Sequence, residues 1–160
     1  MIWRIDMGEV RRISSFSVNH DLLDEGIYVS RIDGDVTTYD MRTRKPNMGD
    51  YMDNITMHSL EHMFATYVRN SDIGADVIYF GPMGCRTGFY LLVRNADNTE
   101  VLTVVKATLE KIAFEATVMF GDSRIECGNY RELSLDAAKT EAKRYLDILN
   151  SREQTFIYKS

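Results

Sequence analysis

Residues 55–69 read ITMHSLEHMFATYVR, and the spacing of their apolar side chains predicts an amphipathic helix. At about 100° of rotation per residue, six apolar residues gather on one side of this helix. Its members are Met57, Leu60, Met63, Phe64, Tyr67 and Val68. The opposite side carries His58, Glu61, His62, Ala65 and Arg69. The apolar side is expected to pack on a sheet, so the polar side needs a cover from loops or from a second subunit.

The segments around this helix predict β-strands. Residues 26–44 have the alternation of a β-hairpin, with Asp33-Gly34 at its turn. Residues 76–80 and 87–94 predict two more strands around a glycine-containing turn. A second amphipathic helix is expected near residues 98–112, and a last one after the serine at position 134.

Length and composition indicate an ordinary globular protein. The chain has 160 residues, of which 44% are apolar and 27% charged, so a single domain spanning 1–160 is expected. With a net charge of −5, the chain lacks the positive surface potential that is typical of a nucleic-acid binder. Met1–Asp6 is charged too early for a secretory signal peptide, and apolar runs fall short of a membrane span. With only two cysteines, the sequence predicts free thiols or metal ligands in a reducing cytoplasm.

The polar side of the helix carries the spacing His58-x-x-Glu61-His62. Two imidazoles one helical turn apart can bind one metal ion, and the glutamate between them can act as general acid or base. Surface histidines on a solvated helix are the alternative interpretation. A histidine pair that frames a glutamate favours the metal site.

Each cysteine has a chemical and a structural interpretation. Cys127, followed by Gly128, can supply the third ligand of a metal site, or it can be a small buried hydrophobe. A site of two imidazoles and one thiolate accepts Zn, Fe(II) or Co(II). Cys85 lies between Gly84 and Arg86, which would favour a reactive thiolate if the arginine is close. A structural cysteine is equally compatible with that position.

Several segments together resemble the S-ribosylhomocysteine lyases, the LuxS family. In chain order, the matching pieces are Ser15-Phe16 with His20, Asp40-Met41-Arg42, Pro46-Asn47, residues 58–62, residues 82–90 and Cys127-Gly128-Asn129-Tyr130. The resemblance implies an α+β homodimer, each subunit an antiparallel β-sheet packed with α-helices, with active sites at the subunit interface. It also implies a cytoplasmic enzyme with a small-molecule substrate.

The resemblance assigns roles to individual residues. His58, His62 and Cys127 would hold one divalent metal per subunit, with Fe(II) expected and Zn or Co(II) compatible. Glu61 and Cys85 would be the acid/base pair. The implied reaction cleaves the thioether of S-ribosylhomocysteine by carbonyl migration and β-elimination, giving homocysteine and 4,5-dihydroxy-2,3-pentanedione, the autoinducer-2 precursor. The implied substrate-binding residues are Ser15, Phe16, His20, Arg42 and Arg69.

The chain departs from the family pattern at several positions of the binding shell. Thr38 replaces a usual lysine, Asn19 and Tyr79 replace aspartates, Lys45 replaces glutamine, and Gly81 replaces serine. These changes bear on the substrate more than on the reaction type. A diverged member that acts on a related thioether sugar is therefore a second hypothesis.

Two other classes also fit parts of the pattern. Inverted-motif metallopeptidases use the same HxxEH spacing, with a distant glutamate as third ligand. A metal-binding module that has kept the fold and lost turnover is the non-enzymatic alternative. Cys127 separates the peptidase from the lyase, because only the lyase needs a thiolate ligand.

Overall fold

The computed structural model describes residues 11–160, so the expectation about Met1–Asp6 lies outside it. The described residues form one α+β unit with a four-stranded antiparallel sheet in the order β1-β2-β4-β3. The strands are β1 (Gly26–Asp33), β2 (Val36–Arg42), β3 (Val77–Pro82) and β4 (Gly88–Arg94). The helices are α1 (Asn54–Arg69), α2 (Asn98–Glu110) and α3 (Leu135–Ser151). Antiparallel sheet and helices agree with the predicted fold class.

The first hairpin turns where the sequence predicts. Asp33 pairs with Val36, and Gly34 between them has a φ of 61°, in the left-handed region that glycine adopts without strain. β2 then pairs along its whole length with β4, from Val36 opposite Arg94 to the far end of β2. The carboxyl end of β2 therefore lies beside the turn that joins β3 and β4.

Helix α1 packs its apolar side on the sheet as expected. Leu60 and Phe64 are buried on this side, and the Phe64 ring lies 4.4 Å from that of Phe80 in β3. The helix begins at a capping aspartate, Asp53, whose carboxylate accepts the backbone N–H of Thr56. This cap fixes the start of the helix one turn before the histidine pair.

Helices α2 and α3 complete the layer over the sheet. α3 buries Ala138, Ala142, Tyr145 and Leu149, as its sequence pattern predicts. The second helix is predicted to end near residue 112; α2 ends at Glu110, and a π-helical turn continues it over Lys111–Glu115. Within residues 11–160, the structure has no helix with the length and apolar character that crossing a bilayer requires.

An irregular loop, residues 116–134, joins this π-helical turn to α3. Its carbonyls at Phe120 and Glu132 both contact the polar side of α1. The loop thus supplies part of the cover that the polar side of α1 requires.

The last residues of the chain return along β1, where the Val29 N–H donates to the Phe156 carbonyl over 2.9 Å.

Candidate metal centre and active site

Three side chains with metal-binding atoms meet between α1 and the 116–134 loop. Ligand atoms of His58, His62 and Cys127 all lie within 4.8 Å of one another. The Cys127 Sγ is 3.4 Å from the His58 Nε2, although 69 positions separate the two residues in the chain. The two imidazole rings are nearly perpendicular, at 88°, with centroids 4.6 Å apart.

Main-chain carbonyls of the loop orient both imidazoles. The His58 Nδ1 lies 2.9 Å from the Glu132 carbonyl oxygen, and the His62 Nδ1 lies 2.9 Å from that of Phe120. A carbonyl oxygen only accepts, so each Nδ1 carries the proton and each Nε2 keeps its lone pair. A histidine that binds a metal through one ring nitrogen usually donates a hydrogen bond from the other, as each Nδ1 does here.

The third member of the cluster has an environment that suits a ligand. Cys127 is half-buried, and the backbone N–H of Asn129 donates to its Sγ over 3.4 Å. Its own N–H donates to the Ser123 carbonyl, which closes a turn in the loop. The loop backbone thus holds the sulfur in place beside His58.

The donor set fits one divalent ion. Two imidazole nitrogens and one sulfur are close enough to share an ion, and three protein ligands leave a coordination position open, as in catalytic sites. Zn, Fe(II) and Co(II) all accept these ligand types. Residues 11–160 contain no other group of three histidine, cysteine or acidic side chains that qualifies as a metal cluster.

Glu61 lies on the same side of α1, one helical turn after His58 and next to His62. The residue is half-buried, and within the described part of the chain its carboxylate takes part in no hydrogen bond or ion pair. A carboxylate left free beside a metal cluster is suited to proton transfer.

Cys85 lies in the turn between β3 and β4 and is exposed. Its Sγ is 3.0 Å from the Thr87 Oγ1 and 3.8 Å from the Arg42 Nη1. The expected neighbour, Arg86, points elsewhere, because its guanidinium lies over the Tyr51 ring at 5.5 Å. The cation beside the thiol therefore comes from the end of β2, which pairs with the start of β4.

Arg42 is 3% exposed and is held on two sides. Its Nη2 donates to the Asp40 Oδ2 over 2.7 Å, and its Nη1 donates to the Thr87 Oγ1 over 2.6 Å. Burial disfavours the guanidinium charge, but the Asp40 carboxylate outweighs this effect and raises the pKa of Arg42. The role of Arg42 in substrate binding stays a prediction.

Four other predicted substrate-binding residues lie apart from the cluster within this chain. Ser15 and Phe16 form a 3₁₀ turn before β1, and Phe16 is 64% exposed. His20 follows them, with its Nδ1 3.0 Å from the Val18 carbonyl oxygen. Arg69 ends α1, two turns or roughly 10 Å beyond His62, where it donates to carbonyls of β3. Within residues 11–160, none of the four hydrogen-bonds to a member of the cluster.

Tyr79 and Gly81, two of the residues that depart from the family pattern, lie against each other in β3. The half-exposed Tyr79 folds back over Gly81, so a Cβ at Gly81 would overlap the Tyr79 hydroxyl and lie 2.8 Å from its Cε1. A serine at position 81 therefore requires the Tyr79 ring to move. The two substitutions form a matched pair in β3, the strand that leads into the Cys85 turn.

Comparison with known proteins agrees with this geometry. A family model described as S-ribosylhomocysteinase (LuxS) matches residues 13–156. The chain belongs to the LuxS family. The match includes the cluster, Glu61, Cys85 and all five residues predicted to bind substrate.

Curated members of the LuxS family align over almost the whole chain. The S-ribosylhomocysteine lyase of Borreliella afzelii is 40% identical over 156 residues, covering 93% of this chain and 99% of that protein. The lyase of Finegoldia magna is 40% identical, with the same shares covered. The lyase of Desulfotalea psychrophila is 40% identical over 161 residues, covering 94% of this chain and 100% of its own length.

Sequence reasoning missed the groups that orient the two imidazoles of the cluster. The carbonyls of Phe120 and Glu132 belong to the main chain, so residue types do not reveal them. Gly121 gives an indirect signal: its φ is 66°, and a Cβ there would lie 2.9 Å from the His62 Nδ1. A glycine in the loop marks the close approach of the main chain to an imidazole.

Proposed function

We propose that this protein is a metal-dependent S-ribosylhomocysteine lyase. It cleaves the thioether of S-ribosylhomocysteine and releases homocysteine and 4,5-dihydroxy-2,3-pentanedione. The observation that carries the proposal is the meeting of His58, His62 and Cys127 in a chain that belongs to the LuxS family.

His58, His62 and Cys127 hold one divalent ion per subunit in this proposal. Fe(II) is the proposed ion, and Zn and Co(II) are compatible with the same ligands. When bound, the ion acts as a Lewis acid that polarises a substrate carbonyl. The carbonyls of Phe120 and Glu132 keep the Nε2 atoms of both imidazoles directed to it.

Glu61 and Cys85 move the protons. In each carbonyl shift, a base removes a proton from the carbon next to the carbonyl, and an acid returns a proton to the former carbonyl carbon. In the last step, the base removes a proton next to the relocated carbonyl, and the electron pair expels homocysteine from the neighbouring carbon. Arg42 places a positive charge 3.8 Å from the Cys85 Sγ. The Glu61 carboxylate, which takes part in no hydrogen bond or ion pair within residues 11–160, is the second proton carrier.

A homodimer completes the proposed site. The polar side of α1 and the exposed Phe16 offer surfaces on which a second copy can contribute substrate contacts. The residues that we propose to bind substrate are Phe16 together with Ser15, His20, Arg42 and Arg69. One domain spanning 1–160 and a cytoplasmic location, where two free thiols stay reduced, belong to the same proposal.

The paired change at Tyr79 and Gly81 favours one alternative substrate class. A phenol in place of a carboxylate removes a charge from β3, just before the Cys85 turn. A thioether sugar related to S-ribosylhomocysteine would accept the same proton transfers. An inverted-motif metallopeptidase fits less well, because the third member of the cluster is a thiol and not a carboxylate.

Turnover tests the proposal directly. Anaerobically purified protein incubated with S-ribosylhomocysteine should release homocysteine, measured with a thiol reagent. Cys85→Ala and Glu61→Ala should each abolish release, because each removes a proton carrier. Glu110→Ala, an exposed carboxylate on α2, is the matched control and should keep full release. Release that persists in both site variants would refute the assigned roles.

A further inference from the structure

The C-terminal tail brings Tyr158 into contact with Asp40, which pairs with the arginine beside Cys85. Residues 152–160 follow α3, and Phe156 forms a bridge with Tyr28 in β1. The Tyr158 ring stacks on that of Tyr28, with centroids 5.0 Å apart and 16° between the planes. The tail therefore holds the Tyr158 hydroxyl at a fixed place beside β1 and β2.

The Tyr158 hydroxyl donates to a buried carboxylate. Its Oη is 2.8 Å from the Asp40 Oδ2, the same oxygen that accepts the Arg42 Nη2 over 2.7 Å. The side chains of Asp40 and Arg42 are only 2% and 3% exposed. Within residues 11–160, the other oxygen, Oδ1, is buried without a hydrogen-bond partner. Among the described residues, Tyr158 and Arg42 are therefore the two donors that share the charge of Asp40.

The other end of the same guanidinium contacts the candidate catalytic turn. The Arg42 Nη1 is 2.6 Å from the Thr87 Oγ1 and 3.8 Å from the Cys85 Sγ. The Thr87 Oγ1 is itself 3.0 Å from the Cys85 Sγ. An unbroken series of contacts thus runs from the Tyr158 hydroxyl through Asp40 and Arg42 to the sulfur.

We propose that Tyr158 is a positioning residue that acts on Cys85 through Asp40 and Arg42. The inference rests on the proposed function, in which Cys85 moves protons. The matched family residues end at 156, so the family match assigns Tyr158 no role.

The physical reason is competition for one guanidinium. While the phenol donates to Asp40, part of the carboxylate charge is compensated, and Arg42 presents its Nη1 to Thr87 and Cys85. Without the phenol, Asp40 draws Arg42 more strongly, and the uncompensated carboxylate weakens the positive field at the sulfur. Burial and the Asp40 carboxylate raise the pKa of Tyr158, so the phenol remains a protonated donor.

Tyr158→Phe tests the proposal because it keeps the stacked ring and removes only the donor. Alkylation of Cys85 by iodoacetamide at neutral pH, quantified by peptide mass spectrometry, should slow about three- to tenfold, a part of what a hydrogen bond to a charged group contributes. The kcat for homocysteine release should fall by a similar factor, while KM changes by less than about twofold.

Tyr28→Phe is the matched control. It removes the other hydroxyl of the same ring stack, which donates to the Asp24 carbonyl over 2.9 Å and not to Asp40. Alkylation of Cys85 and kcat should both keep their original values. A change in Tm common to both variants would then report only on packing of the tail.

A double-mutant cycle tests the route. If Tyr158 acts through Asp40, adding Tyr158→Phe to Asp40→Asn should leave the alkylation rate of Asp40→Asn unchanged. Equal alkylation rates for Tyr158→Phe and the unsubstituted protein, or fully additive effects in the cycle, would overturn the proposal. Absence of homocysteine release from the unsubstituted protein would instead refute the proposed function, since alkylation needs no substrate.

Discussion

The two halves of the candidate site are held in place by different kinds of partner. The cluster of His58, His62 and Cys127 depends on main-chain groups of the irregular 116–134 loop. The Cys85 turn depends on side chains, above all the buried pair of Arg42 and Asp40 behind it. The backbone conformation of the loop positions the cluster, and a buried ion pair positions the Cys85 turn.

This difference predicts where each half is vulnerable. A loop that donates carbonyls to imidazoles is disturbed by changes in backbone conformation, and a bound ion would stabilise it further. A buried ion pair is disturbed when one partner is removed, because the remaining charge stays desolvated. We therefore expect changes in the loop to alter metal affinity. Changes at the buried pair of Arg42 and Asp40 should instead alter the free energy of unfolding.

Arg42→Ala should give the largest change in stability. It leaves the Asp40 carboxylate buried without its cation, and the free energy of unfolding should fall by about 3–5 kcal/mol in urea titrations. Arg94→Ala is the control, because its ion pair with Asp35 is about half exposed and should contribute less than about 1 kcal/mol. Equal losses in the two variants would contradict the distinction between the halves.

Gly121→Ala should affect the other half and act on metal affinity. Its Cβ would press on the His62 Nδ1, 2.9 Å away, and displace the imidazole from the Phe120 carbonyl. The dissociation constant for Co(II), from competition titration, should rise about tenfold. Gly49→Ala carries a similar backbone strain, at a φ of 78°, with nothing within 4 Å of its Cβ. If both variants bind Co(II) equally, the loop does not orient His62 as described.

The sequence predicts the helices and strands well because their apolar patterns are local. The two-faced helix α1 and the first hairpin need only periodicity and a glycine turn, and both match the structure. The group of His58, His62 and Cys127, which could hold a metal, is also indicated by residue types, since few chemistries use two histidines and a cysteine. The arginine beside Cys85 does not follow, because Arg42 is close only through the pairing of β2 with β4.

Apart from the indirect signal of Gly121, other parts of the site cannot be read from residue types. Carbonyl oxygens that orient the imidazoles could belong to any residues of the loop. The contact of Tyr158 with Asp40 spans 118 positions and depends on how the tail returns along β1. Strand periodicity does not predict in which direction the Tyr79 ring points, so the sequence does not reveal that this ring lies over Gly81.

Metal content tests the central claim most directly: that His58, His62 and Cys127 together bind one divalent ion. Protein purified anaerobically should contain about one equivalent of ion, as three ligands sharing one ion require. Cys127→Ala should lose most of it, while Cys85→Ala, the other free thiol, should keep it. Retention of a full equivalent by Cys127→Ala would contradict the account.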